Sequence, residues 1–598
     1  MSVKPSIIAD PGAALKQARQ LLASDPVAAT RQARQLLKAH PGDPAALRLL
    51  GTGLRKLGKV KEAEKAEKEA VDASTRSPAH REAARAIAAG DKQRAAAILG
   101  SLLARDEHDV VALVMLGLQL SLDGEFEAAE PLLRKAVEAA PADVSARMAL
   151  VEHLHRSRRA TEALDLLGGL GEPGQSPAAQ SLRASILRDL GRQEEEVEIL
   201  ERLAASQPRP EGYRIRLGHA YRTLGRTDEA IAAYRSVIAA APHEGTSWWS
   251  LANLKAMKFS DADIAEMERG LTMPNAPLVN RVRLNFALGR AFEDRRNAER
   301  AFRHYDEGNR LRQSIATYKP EKVQSWVDQA EANYSPEFFA ERAGDGFPAP
   351  DPIFVVGMQR SGSTLVEQIL DSHPQIEGTA ELSEFPTLIR EQGDIAHRRG
   401  ISFSEHLRRM SADDMRALGE DYIKRASVYR QTAKPFFTDK MPPNWLYVGA
   451  IRLFLPNARI VDVRRHPLAC CFANWKQLYG SGLEHTYSME NMGRYYADYV
   501  RLMRLMDKVQ PGKIHRVIYE RLVDDVEGEV QRLLDYLGLP FDEACLAFHS
   551  NERSVRTISA EQVRRPINRD GLDQWRPYEQ WLGPLKQALG PALEDWDQ

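Results

Sequence analysis

Residues 352–370 read PIFVVGMQRSGSTLVEQIL, and this stretch decides the fold of the C-terminal half. Ile353 to Val356 is a short β-branched and aromatic run, as expected of a buried parallel strand. Gly357 and Gly362 frame a turn. Ser363 and Thr364 then open an amphipathic helix through Leu365 to Leu370. Strand, glycine loop and helix N-terminus together present a nest of backbone N–H groups suited to an anion. The spacing Gly357-x4-Gly362-Ser363-Thr364 fits the nucleotide-triphosphate loop G-x4-G-K-[ST] at every position but one. Ser363 stands where that loop has its lysine, which argues against an ordinary ATPase or GTPase. Arg360, inside the loop, supplies positive charge instead, so the loop suits a group shorter than a triphosphate.

Four further segments extend the pattern. In ARIVDVRRHPLACCFANW (458–475), Ile460 to Val463 predicts a second buried strand. Arg464 and Arg465 stand at its carboxyl end, where open α/β sheets bind ligands. In KIHRVIYERL (513–522), Val517 to Tyr519 predicts a strand running into a helix. RTISAEQVRRPINRDGLDQW (556–575) carries a cluster of arginines, and GTAELSEFPTL (378–388) carries the carboxylates Glu381 and Glu384.

These pieces together resemble the sulfotransferases that use 3′-phosphoadenosine 5′-phosphosulfate (PAPS), and within them the protein-tyrosine sulfotransferase branch. That branch has the similar loop R-S-G-T-T-L, here Arg360-Ser361-Gly362-Ser363-Thr364-Leu365. The resemblance implies that Arg360, Ser361, Gly362, Ser363 and Thr364 hold the 5′-phosphosulfate. It implies that Arg465 binds the 3′-phosphate, Tyr519 contacts the adenine, and Ser559, Gln562 and Arg565 belong to a segment closing over the nucleotide. The family has a serine eight residues after the phosphate arginine; here that position is Ala473, leaving Asn474 or Gln477 as replacements. Arg464 is expected to be a solvated or structural arginine. The catalytic Glu of the branch lies 21 residues after the loop Arg, which is Glu381 here, the expected general base, with Glu384 as runner-up. A K-x-P lysine lies 25 residues before the phosphate Arg. That is Lys440, expected to stabilise charge on the sulfuryl group together with Arg360. His466 and His485 do not match the base position of the small-molecule sulfotransferases. No metal is expected.

The N-terminal half has a different texture, rich in Ala, Leu, Arg and Glu with apolar residues at helical spacing. Leu116-Gly117 is followed by Ala129 and Pro141, and Leu217-Gly218 by Ala230 and Pro242, each step being twelve residues. Asp109 to Asp143 and Pro208 to Pro242 both span 34 residues. The pattern resembles tetratricopeptide repeats, helical hairpins that bury their apolar faces by stacking. Gly51 with Ala63, and Gly289 with Ala301 and Tyr305, mark further copies, some eight or nine in all. The expected architecture is therefore an α-solenoid over 1–315, a linker over 316–350, and a P-loop-like α/β domain with a parallel sheet over 351–598.

Composition narrows the function classes. With 82 Lys+Arg against 83 Asp+Glu, no global field points to nucleic acid or to an anionic membrane. Cys470, Cys471 and Cys545 are an odd, sparse count that gives no disulfide framework, and the neighbouring Cys470 and Cys471 are expected to pack. The first residues lack a signal-peptide apolar region and no membrane-length apolar run occurs, so a cytoplasmic protein without a membrane span is expected. The sequence thus predicts an enzyme moving a sulfuryl group from PAPS to an acceptor hydroxyl; the repeat groove suggests a peptide or protein acceptor, or a partner that delivers one, and a carbohydrate or small phenol stays open. The alternative is a catalytically impaired nucleotide-binding domain on a protein-interaction scaffold.

Overall fold

The computed structural model describes residues 11–254, 257–551, 553 and 563–598. The chain forms two compact units, Met1–Ala240 and Ala241–Gln598.

The first unit is helical throughout its described residues, in successive hairpins such as Val110–Asp123 with Phe126–Ala139 and Glu211–Thr223 with Thr227–Ala240. Local chemistry sets the ends. Asp43, Asp109 and Asp143 each accept from the backbone N–H three residues on, at 2.7, 3.1 and 2.8 Å, and so cap the first helix of a hairpin. The glycine of each repeat is required by close approach. A Cβ on Gly51 would lie 2.8 Å from Glu67, on Gly117 2.7 Å from Leu133, and on Gly218 2.4 Å from Tyr234. The partner is sixteen residues on in each case, and Ala63, Ala129 and Ala230, twelve residues on, are fully buried. The hairpins are tetratricopeptide repeats in which small residues let two helices cross at short range.

The second unit opens with four more helices of this kind, Gly245–Ala252, Asp261–Thr272, Leu278–Asp294 and Ala298–Gln313. Gly289 meets Tyr305 just as Gly218 meets Tyr234, at 2.6 Å. Residues 316–350, expected as a linker, carry the helices Pro320–Asn333 and Pro336–Glu341. Their prolines sit at the first helical position, where a missing N–H costs nothing, so they start helices instead of breaking them. Trp326 docks the first of these helices, donating to the Leu446 carbonyl at 3.0 Å and stacking on Phe403.

Five parallel strands follow: β1 (Pro352–Gly357), β2 (Ile376–Ala380), β3 (Phe436–Asp439), β4 (Arg459–Arg464) and β5 (Ile514–Ile518), in the order β2-β3-β1-β4-β5. Every residue of β1 is buried, as a central strand covered on both faces requires. Ile353, Val355, Val461, Val463 and Val517 join Val366, Leu370 and Leu534 from the flanking helices in one core. The chain leaves β1 for one edge and crosses back to β4 on the other side. The carboxyl ends of β1 and β4 thus lie side by side, with Gly357 in register with Val463, at the place where such sheets take ligands. Among the described residues no helix is long and apolar enough to cross a membrane.

Candidate functional site

The loop after β1 has little conformational latitude. Gly357 has φ 140° and a Cβ there would sit 2.3 Å from the Val463 carbonyl. Gly362 has φ 104° and a Cβ would meet Tyr519 at 2.6 Å. Arg360 adopts the left-handed region at φ 64°, a conformation that costs a non-glycine residue about 1–3 kcal/mol and that gathers at functional sites. The loop is held from outside. Asn474 donates through Nδ2 to the Gln359 carbonyl at 2.7 Å. Ser361 is fully buried, and its Oγ has no partner among the described residues. The helix Ser363–Asp371 starts at Gly362, with Ser363 and Thr364 in its first turn.

A cavity of about 410 Å3 opens there, within the size range of small-molecule sites. Arg360, Gly362, Ser363, Thr364, Arg465, Tyr519 and Arg565 all line it. Arg465 is nearly buried; its Nη1 donates to the Arg360 carbonyl at 2.9 Å, its Nη2 to the Gly571 carbonyl, and its guanidinium lies over the Tyr519 ring at 5.0 Å. Burial and the neighbouring Arg465 charge push the Arg360 guanidinium below its usual range. Ala473 and Gln477 line the cavity, whereas Asn474 is turned to the loop carbonyl; of the two replacements expected for the missing serine, Gln477 alone faces the cavity. Arg565 is exposed at the rim. Ser559 and Gln562 lie outside the described residues.

Glu381 and Lys440 are not among the residues that line this cavity. They follow the ends of β2 and β3. Lys440 is almost completely buried, with 1% of its side chain exposed, and its Nζ donates to Oε1 of the half-exposed Glu381. The Tyr479 hydroxyl donates to Asn474 Oδ1 at 2.8 Å. Glu384 starts the next helix and accepts from Tyr429 at 2.6 Å. Arg464, expected to be solvated or structural, is fully buried against Asp462 at 2.8 Å and so is not solvated. His466 stacks on Trp575, and His485 stacks on Tyr495 inside the core. The three cysteines are buried and unpaired.

Sequence reasoning missed one wall. Trp249, Ala252, Asn253, Arg290, Glu293 and Tyr305, all from repeat helices, line the cavity, and so does Lys476. Lys476 bonds Glu293 at 2.6 Å. Lys476 had a usable signal, lying one helical turn after Ala473. Arg290 and Glu293 had none, because only tertiary packing brings them to a loop some 70 residues away in sequence.

A parallel sheet whose central strand ends in a glycine-framed loop, opening a helix into a cationic cavity, defines a P-loop-like α/β domain. Residues 352–543 match the Sulfotransferase family, and residues 28–78, 120–186 and 212–244 match tetratricopeptide repeats. An uncharacterized protein of Aquifex aeolicus (strain VF5) is 27% identical over 419 residues, 69% of this chain and 54% of its own. Protein-tyrosine sulfotransferase A of Caenorhabditis elegans is 22% identical over 245 residues, 39% of this chain and 63% of its own. The chain thus spans less than two thirds of either relative's length. Among solved structures, the sulfotransferase domain of the Synechococcus PCC 7002 olefin synthase is similar at 21% identity and a TM-score of 0.29, covering 39% of this chain and 88% of that one.

Proposed function

We propose that the protein transfers a sulfuryl group from PAPS to an acceptor hydroxyl, with the chemistry in residues 351–598. The observation that carries this reading is the cavity itself: a glycine-framed helix start without the triphosphate lysine, flanked by Arg360 and Arg465. The residues fit the donor. The buried, unpartnered Ser361 Oγ and the first-turn N–H groups of the helix Ser363–Asp371 suit phosphosulfate oxygens. Arg360, Ser361, Gly362, Ser363 and Thr364 would hold that end, Arg465 the 3′-phosphate, and Tyr519 and Arg565 the nucleoside. PAPS, when bound, supplies a sulfuryl group on a phosphate leaving group.

The chain's own residues supply the rest. Glu381, half-exposed, can accept the proton of an incoming hydroxyl at its carboxylate. Lys440, buried behind it, fixes that carboxylate and adds a positive charge where negative charge develops. The bonds from Asn474 to the Gln359 carbonyl and from Arg465 to the Arg360 carbonyl hold the loop in place before any ligand arrives. The repeats favour a peptide or protein acceptor, and tyrosine is the hydroxyl suggested by the relative from Caenorhabditis elegans.

Transfer is tested with labelled PAPS against tyrosine peptides, oligosaccharides and simple phenols. Transfer to one class, reduced about 10²- to 10⁴-fold by Glu381→Gln, is expected of a lost general base. Turnover of ATP in place of PAPS would overturn the reading. Ala473 favours a second reading, a nucleotide-binding scaffold without turnover. That reading predicts binding of the nucleotide and transfer to none of the three classes.

A further inference from the structure

Five cationic side chains, Arg290, Arg360, Arg465, Lys476 and Arg565, line the cavity against two carboxylates, Glu293 and Asp570. Three of these charges form one cluster away from the glycine loop's own residues. Lys476 Nζ donates to Glu293 Oε1 at 2.6 Å and to Gln574 Oε1 at 3.0 Å. Arg290 Nη1 stands 3.9 Å from the same Glu293 carboxylate, while its Nη2 meets Asp294 at 3.1 Å. Glu293 also accepts from the Tyr305 hydroxyl at 2.7 Å. Arg290 and Glu293 belong to the repeat helix Leu278–Asp294; Lys476 caps the C-terminal end of the helix Pro467–Trp475, which begins two residues after Arg465.

An ammonium carries three N–H donors. Among the described residues two of those of Lys476 are used, by Glu293 and Gln574, which leaves one for a ligand. Glu293 and Asp294 together face the two cations, so a further anion would be met by the remaining Lys476 N–H and by the part of the Arg290 guanidinium that lines the cavity. Ala473, Lys476 and Gln477 all face the cavity, so the surface left without a hydroxyl at Ala473 adjoins a lysine one turn on.

We infer that Arg290 and Lys476 form a second anion subsite in the cavity, built jointly by the last repeat hairpin and the helix Pro467–Trp475. It would take the 3′-phosphate in place of the contact that Ala473 cannot make; this presupposes PAPS as the donor. Glu293 holds the two cations in position and competes with the phosphate for them. The repeats thereby contribute a wall of the nucleotide site as well as a groove.

The test compares calorimetric binding of 3′,5′-adenosine bisphosphate and of 5′-AMP, which lacks the 3′-phosphate, to the full chain. Lys476→Met is expected to weaken the bisphosphate about tenfold or more, the usual value of a charge-assisted contact, and to leave 5′-AMP nearly unchanged. Glu293→Gln is expected to tighten the bisphosphate selectively, a gain that misfolding cannot produce. Unchanged discrimination between the two nucleotides in both variants overturns the subsite while leaving PAPS as donor. A wild-type chain that binds neither nucleotide overturns the donor assignment itself.

Discussion

His485 illustrates how a single buried side chain sets a measurable property without taking part in chemistry. It lies against Tyr495 with ring centroids 3.8 Å apart, and burial pushes its imidazole down to about 3. In the unfolded chain its pKa is near 6.5. Between those values the unfolded state binds the proton and the folded state does not. The stability His485 contributes is therefore complete above about 6.5 and lost progressively as pH falls toward 3. The loss between pH 7 and 5 is about 2 kcal/mol. Urea midpoints at those two pH values should separate for the wild type and separate less for His485→Phe; an identical separation in both would rule out His485 as the source. The neighbouring residue scale of the site is different. Arg360, Ser361 and Arg465 are held by backbone geometry and by carbonyl contacts, so they are positioned before a ligand arrives.

At the scale of elements, the repeat hairpin rests on one close contact. Gly218 faces Tyr234 with no room for a Cβ, and Gly289 faces Tyr305 in the same way. Gly218→Val should overpack this crossing and cost about 1–3 kcal/mol, read as a lower thermal midpoint; an unchanged midpoint would mean that the helices can spread freely. The same contact explains what was legible in the sequence. Glycine, alanine and proline at fixed offsets report helix crossings directly, and the 34-residue period follows from them. The loop Gly357–Thr364 and the strand-end Arg465 were legible for a similar reason, since both are local motifs whose backbone fixes the side chains. The helices at 320–333 and 336–341 were hidden because the Gly- and Pro-rich run 345–352 that follows them reads as a linker, while Pro320 and Pro336 are first-turn residues. The pairing of Glu381 with Lys440 joins two strands 59 residues apart, and the wall of Arg290 and Glu293 joins a repeat helix to the sheet's ligand end. Such pairings depend on strand order and helix docking, which no short window of sequence carries.

On the scale of the whole molecule, the second compact unit already contains the cavity and all of its lining among the described residues, from Trp249 to Gln574. A chain starting at Ala241 should therefore bind 3′,5′-adenosine bisphosphate as the full chain does, while one starting at residue 316 should lose most of that affinity. Equal binding by both shortened chains, measured by calorimetry, would show that the repeat wall is dispensable. The first unit would then serve partner or acceptor recognition, a role its stacked hairpins suit. The central claim is that the cavity at the β1 loop is a PAPS site. It is tested most directly by calorimetric titration of 3′,5′-adenosine bisphosphate, the product expected from the donor, into the wild type and into Arg465→Ala. The account predicts a dissociation constant of about micromolar order in the wild type, lost in the variant with the removal of a charge-assisted phosphate contact. Absence of binding in the wild type, or equal binding in Arg465→Ala, would contradict it.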